Sequence, residues 1–215
     1  MASAQMIDVE GLLRERIARR EIPPGAKLRE EALAEDFKVS RARIRQALSV
    51  LETRGLVERV PNKGAVVATL DAPRIFKLYD VFEMLEGLCA RLAVQNTAPE
   101  SWQDLLEVFG PELEQAVRRG EYEPMYEAVK LYRTRVIEAA DNPTLRDFLD
   151  RIWDMTEVII RRTLILPARA EQSFTEHARI VAAMRAGDAL EAERLKRENM
   201  RSARQALQKY QEFVL

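Results

Sequence analysis

The sequence predicts a mainly α fold, with an N-terminal winged helix-turn-helix followed by an all-α helical bundle. Residues 28–67 show two short helical patterns, a tight turn between them and a β-hairpin, in that order. From Asp71 onward apolar residues recur at helical spacing and no strand alternation survives. The charge divides at the same place. Residues 1–70 hold 13 Lys/Arg against 10 Asp/Glu, and residues 71–215 hold 21 against 25.

Taken in order, residues 5–20 form an amphipathic helix with Ile7, Leu12, Leu13 and Ile17 inward, and Pro23-Pro24-Gly25 breaks it. A second helix runs from about Arg29 to Lys38 and buries Ala32, Leu33 and Phe37. Lys38-Val39-Ser40 is the turn, and Ser40 suits the N-cap of a third helix. That helix carries Ile44, Ala47, Leu48 and Leu51 as one apolar stripe, and Gly55 stands where a C′ glycine ends a helix. Leu56–Val60 and Ala65–Leu70 then read as short strands around a Pro61-Asn62-Lys63-Gly64 tip. Six helices are expected behind them, near 73–96, 99–119, 122–140, 143–166, 170–186 and 188–213. Pro73, Pro99, Pro143 and Pro167 punctuate them, and Pro111 should kink or split the second. So many amphipathic helices need one another to hide their apolar faces, which predicts a bundle. The expected domains are 1–72 and 73–215.

Composition narrows the function. The chain has 215 residues, 47% hydrophobic and 32% charged. No apolar run reaches the length of a membrane span, and the N-terminus lacks a signal peptide's apolar core, so a cytoplasmic protein without a membrane partner is expected. The single cysteine, Cys89, leaves no internal disulfide framework, and the single histidine, His177, leaves no two-histidine metal motif. Phosphate-binding glycine loops and nucleophile motifs are absent, so no enzyme, no catalytic residue and no cofactor are expected.

The third helix opens with Arg41, Arg43 and Arg45. On a helical wheel Ala42, Gln46 and Ser49 lie opposite the apolar stripe, with Arg45 beside them. Arginine pairs two hydrogen bonds with guanine in the major groove and also grips phosphate. A solvated helix could carry three arginines for solubility alone. The turn, core stripe, glycine stop and basic hairpin tip at the right spacing favour DNA. The residues expected to meet DNA are Arg29, Ser40, Arg41, Arg43, Arg45, Lys63 and Gly64.

These residues resemble the GntR family of bacterial transcription regulators. The carrying positions are Pro24-Gly25 with Leu28, Glu30, Leu33-Ala34, Val39-Ser40-Arg41, Arg45, Leu51, Gly55-Leu56-Val57 and Gly64. The family's common Thr-Pro after the first arginine is Ala42-Arg43 here, and its usual Glu after the second is Gln46. The remainder resembles the FadR-type effector domain, FCD, through Tyr79–Ala93, Tyr132–Leu145, Phe174–Ile180 and Met184–Asn199.

The resemblance implies a homodimer on a palindromic operator, a small-molecule effector, and repression as the commoner mode. It also implies a metal held by an aspartate and three histidines. Those positions are Val129, Arg133, His177 and Asn199 here, which predicts no metal. An arginine near the effector carboxylate in family members maps onto Phe82. The helical pattern independently turns Arg133, His177 and Asn199 inward. An inward arginine needs an anion. Either an anionic effector supplies it, with Phe82, Val129, Arg133, His177 and Asn199 as the pocket, or a salt bridge does, with Glu86 as the expected partner. The corresponding alternative function is a ligand-independent DNA-binding protein whose bundle serves only dimerisation.

Overall fold

The computed structural model describes residues 7–69 and 71–214. Residues 5 and 6 and Leu70, placed by the sequence reading in a helix and a strand, lie outside the described residues. The chain separates into two compact units, Met1–Leu70 with Trp153–Val158, and Asp71–Ile152 with Ile159–Leu215.

The first unit holds helices α1 (Val9–Ala18), α2 (Glu30–Phe37) and α3 (Arg41–Thr53), then strands β1 (Val57–Val60) and β2 (Gly64–Val67). The inward stripe of α1 is Val9, Leu13 and Ile17, one residue per turn. Ile7 and Leu12, expected inside, are 39% and 41% exposed: Ile7 precedes the Asp8 cap of α1, and Leu12 lies off the buried row. Ala32 is likewise exposed, and α2 turns Phe37 and the half-buried Leu33 and Ala34 to the core instead. Lys38 takes the left-handed conformation that ends α2, and the Ser40 hydroxyl accepts from the Arg43 backbone N–H at 3.3 Å to open α3. Ile44, Ala47, Leu48 and Leu51 are buried as one stripe. Gly55, at φ +78°, turns the chain into the antiparallel hairpin, whose register pairs Val57 with Val67 and Val60 with Gly64. Leu28 donates its N–H to the Ala65 carbonyl at 2.8 Å, so the segment after Pro24 runs beside β2.

The second unit is helical: α4 (Ala72–Asn96), a 3-10 turn (Pro99–Trp102), α5 (Gln103–Val108), α6 (Pro111–Arg118), α7 (Tyr122–Ala140), α8 (Pro143–Leu164), α9 (Arg169–Arg185), α10 (Ala189–Lys209) and α11 (Gln211–Val214). The expected helix 99–119 is three pieces. Its break falls at Gly110-Pro111, where proline removes a backbone donor. The last expected helix divides at Tyr210. Side-chain caps start three of the long helices: Asp71 on α4, Asn142 on α8 and Asp188 on α10. α4 packs along α7 and α10, and α9 packs along α10. Among the described residues no helix is long and apolar enough to cross a membrane.

Candidate DNA-binding surface and interior polar cluster

The outer face of α3 carries Arg41, Ala42, Arg45, Gln46 and Ser49, all exposed, opposite the buried stripe. Two neighbouring glutamates at the start of α2 hold the two arginines. Arg45 donates from Nε to Glu30 Oε1 at 3.1 Å and from Nη2 to Glu30 Oε2 at 2.8 Å. The hydrogen bond from Arg45 holds the Glu30 carboxyl below the usual carboxylate range, and the same bond raises Arg45. This forked grip occupies one edge of the guanidinium and leaves the Nη1 side for another partner. Arg41 Nη1 meets Glu31 Oε1 at 2.7 Å.

The remaining predicted DNA residues divide. Ser40 is exposed and caps α3, so it fixes the helix tip. Arg29 is the exposed N-cap residue of α2. Lys63 and Gly64 are exposed at the hairpin tip. Gly64 adopts φ +79° with open space around it, so its glycine character is conformational. Arg43 is half-buried, and its guanidinium donates to the Ile7 carbonyl ahead of α1. It braces the N-terminal segment while Arg41 and Arg45 stay on the outer face.

In the bundle, the expected pairing of Arg133 with Glu86 is not what forms. Arg133 pairs with Asp150 on α8, a partly exposed carboxylate. Glu86 is occupied by Lys196 of α10, with Oε2 3.1 Å from Nζ. Lys196 also donates to Asn199 Oδ1 at 3.3 Å and lies over the Tyr132 ring, 5.1 Å from its centroid. Asn199 Nδ2 in turn donates to Glu176 at 2.7 Å, and Glu176 accepts from the buried Arg169 at 2.9 Å. Asn199 thus belongs to one charged network, and His177 borders it through the Tyr132 ring. Phe82 stands apart from it, edge-on to Tyr79 at 6.2 Å, and Val129 is buried on α7.

His177 is stacked on Phe109 at 5.3 Å and edge-on to Tyr132 at 5.2 Å. Its Nδ1 lies 2.8 Å from the Ser173 carbonyl, which can only accept, so Nδ1 carries the proton and Nε2 presents a lone pair. That Nε2, like the Tyr132 hydroxyl, is buried without a hydrogen-bond partner. Burial, and then the Lys196 charge, push His177 down to about 3, so the ring is neutral. Burial pushes Cys89 up to about 12, which leaves it an unreactive thiol.

The sequence reading missed Lys196, Arg169, Glu176 and Tyr132 as members of this cluster. Spacing could have found Lys196, since α10 buries Ala192, Leu195, Lys196, Asn199 and Met200 on one stripe. The four positions the resemblance assigns to a metal do not fit one. Val129 has no donor atom, Arg133 is a cation held by Asp150, and Asn199 is engaged at both ends of its amide. Among the described residues no three His, Cys, Asp or Glu side chains form a group able to hold a metal ion.

A winged helix-turn-helix with arginines on its recognition helix, followed by a helical bundle, defines a DNA-binding regulator. Comparison with known proteins agrees. Residues 7–67 match the family described as bacterial regulatory proteins, gntR family, and residues 77–202 match the FCD domain. The chain belongs to the gntR family of bacterial regulators, in the group that carries an FCD domain, and it is not an enzyme. It is 28% identical to the HTH-type transcriptional regulator LutR of Bacillus subtilis (strain 168) over 201 residues, spanning 82% of this chain and 89% of that one. It is 23% identical to the regulator McbR of Escherichia coli (strain K12) over 184 residues, 85% and 83% of the two chains. The solved structure of E. coli McbR/YncC superposes with a TM-score of 0.75 at 22% identity, covering 95% of this chain and 100% of that one. A regulator from Rhodococcus sp. RHA1 gives 0.70 at 21% identity, with coverage of 94% and 97%. At these identities the structural likeness shows the fold alone.

Proposed function

We propose that the protein is a homodimeric repressor that binds a palindromic operator, each head reading one half-site, and responds to a small organic anion taken up by the bundle. The observation that carries the DNA half is the outer face of α3, where a capped helix tip presents Arg41 and Arg45 beside small Ala42 and polar Gln46. Dimerisation through the bundle is supported by Val81 and Met84, neighbours on α4 that are each 52% exposed, and by the two-fold symmetry that such operators demand. The reading of an effector pocket lined by Phe82, Val129, Arg133, His177 and Asn199 is supported by two buried polar atoms without partners, His177 Nε2 and the Tyr132 hydroxyl.

A second reading is favoured by a specific observation. Arg133, Lys196 and Arg169 each have a carboxylate partner inside the protein, so the interior is neutralised without a ligand. In that case the bundle only dimerises. Selection of bound duplexes from random double-stranded DNA should return an inverted repeat. Thermal-shift screening of carboxylic acids, followed by anisotropy on the selected duplex, separates the two readings. An effector should raise the melting temperature and weaken DNA binding, and Arg133→Ala should abolish that response while leaving operator affinity nearly unchanged. A screen in which no acid moves either quantity leaves the ligand-independent regulator as the better account.

A further inference from the structure

We infer that the ammonium group of Lys196 is a fixed cation of the bundle interior and that it keeps divalent metal out. The inference stands whether or not the bundle takes an effector. Lys196 is 5% exposed, and its partner Glu86 is 7% exposed. Buried lysine is rare and survives when its charge is met. Here it is met from three sides: the Glu86 carboxylate on α4 at 3.1 Å, the Asn199 amide oxygen on its own helix at 3.3 Å, and the face of Tyr132 on α7 at 5.1 Å. The His177 ring of α9 meets the Tyr132 ring nearly at right angles, with centroids 5.2 Å apart. A positive charge tethered to the backbone therefore sits among side chains from α4, α7, α9 and α10.

Three of the polar groups there are ones a divalent ion would use: a carboxylate, an amide oxygen and an imidazole nitrogen. The ammonium has already taken the first two. The third, Nε2 of His177, carries a free lone pair but lies close enough to Lys196 that the ammonium's charge helps keep the ring neutral. A second cation entering this low-dielectric space would meet repulsion from Lys196 and would have to displace it from Glu86. The lysine does electrostatically what a bound ion would do, without needing deprotonated ligands or a supply of metal.

Zinc titrated into the full-length chain at pH 7.5 tests this by calorimetry. The parent chain is expected to bind no stoichiometric zinc. Arg133→His with Asn199→His restores imidazoles at two of the positions the family resemblance assigns to metal ligands and leaves the Lys196–Glu86 pair in place. This variant is compared with one that also carries Lys196→Met, so that the loss of the Asn199 contact to Lys196 is common to both. With Lys196 gone, the Glu86 carboxylate remains for a bound zinc ion to neutralise. Zinc affinity should rise at least about tenfold on removing the Lys196 ammonium, which ends its repulsion and frees the Glu86 carboxylate. Equal zinc affinity in the two variants, or no binding in either, overturns the inference, as does one equivalent of tightly bound zinc in the parent. A further readout needs no substitution. The melting temperature of the parent should be the same in EDTA and in excess zinc, and a rise of several degrees with zinc would also overturn it.

Discussion

Lowering the pH from 7 to 5 should cost the bundle about 2 kcal/mol through one side chain, His177, beyond what its carboxylates lose. The imidazole is 2% exposed, clamped between Phe109 and Tyr132, with Nδ1 committed to the Ser173 carbonyl. Burial and the Lys196 charge move it from 6.5 to about 3. Its folded value is depressed, so the unfolded chain takes up a proton below pH 6.5 that the folded chain refuses until about pH 3. Stability from this group is therefore complete above 6.5 and falls as the pH falls. The full slope approaches about 1.4 kcal/mol per pH unit, and the partial protonation between 7 and 6 trims the total to about 2 kcal/mol. Urea unfolding of the parent and of His177→Phe at both pH values measures it. Phenylalanine keeps a ring in the stack and removes the titration, while the carboxylate contribution cancels between the two proteins. The variant should lose about 2 kcal/mol less than the parent. Because the chain has one histidine, its NMR ring signals are unambiguous and should stay unshifted from pH 7 down to about pH 4, near the lowered value of about 3. A ring that titrates near 6.5, or equal pH dependence in the two proteins, would refute the buried neutral imidazole.

At the head, Arg45→Ala should weaken binding to the selected operator roughly tenfold to a hundredfold, as expected for loss of a bidentate base contact. Glu30→Gln keeps the side-chain shape but loosens the fork on Arg45. It should lower discrimination between operator and random duplex more than it lowers random-duplex binding, and unchanged discrimination by anisotropy would show that the clamp plays no part in readout. Lys63→Ala should weaken all sequences alike and reduce the slope of log affinity against log salt by about 1. Val81→Glu with Met84→Glu should shift the full-length chain toward monomer in sedimentation at micromolar concentration. A dimer that survives both charges places its interface elsewhere.

The difference in legibility between head and bundle has a physical origin. In the head, each element end depends on a residue whose backbone or capping chemistry is local: Ser40 as N-cap, Gly55 at φ +78°, Gly64 at φ +79°. Such signals can be read without knowing what packs on what. The face of α3 follows in the same way, because Ile44, Ala47, Leu48 and Leu51 leave only one side for Arg41 and Arg45. The short helix α1 was harder, since Ile7 and Leu12 are apolar yet exposed and only the row Val9, Leu13, Ile17 finds the core. The interior of the bundle depends on partners distant in sequence. Arg133, expected inward with Glu86, is half-buried against Asp150, and nothing local says that Glu86 is committed to Lys196, over a hundred residues away. Residue type misled where spacing did not. Lys196 sits between charged Arg194 and Arg197 and looks solvated, while its place four residues after Ala192 and four before Met200 puts it on the buried stripe of α10. A charged residue in phase with an apolar stripe is thus better treated as half of a pair whose other half must be sought on another helix. Here that rule leads from Lys196 to Glu86, which is itself in phase between Phe82 and Cys89 on α4. The two anomalies in two separate stripes explain each other, and together they account for a bundle interior that holds a cation of its own.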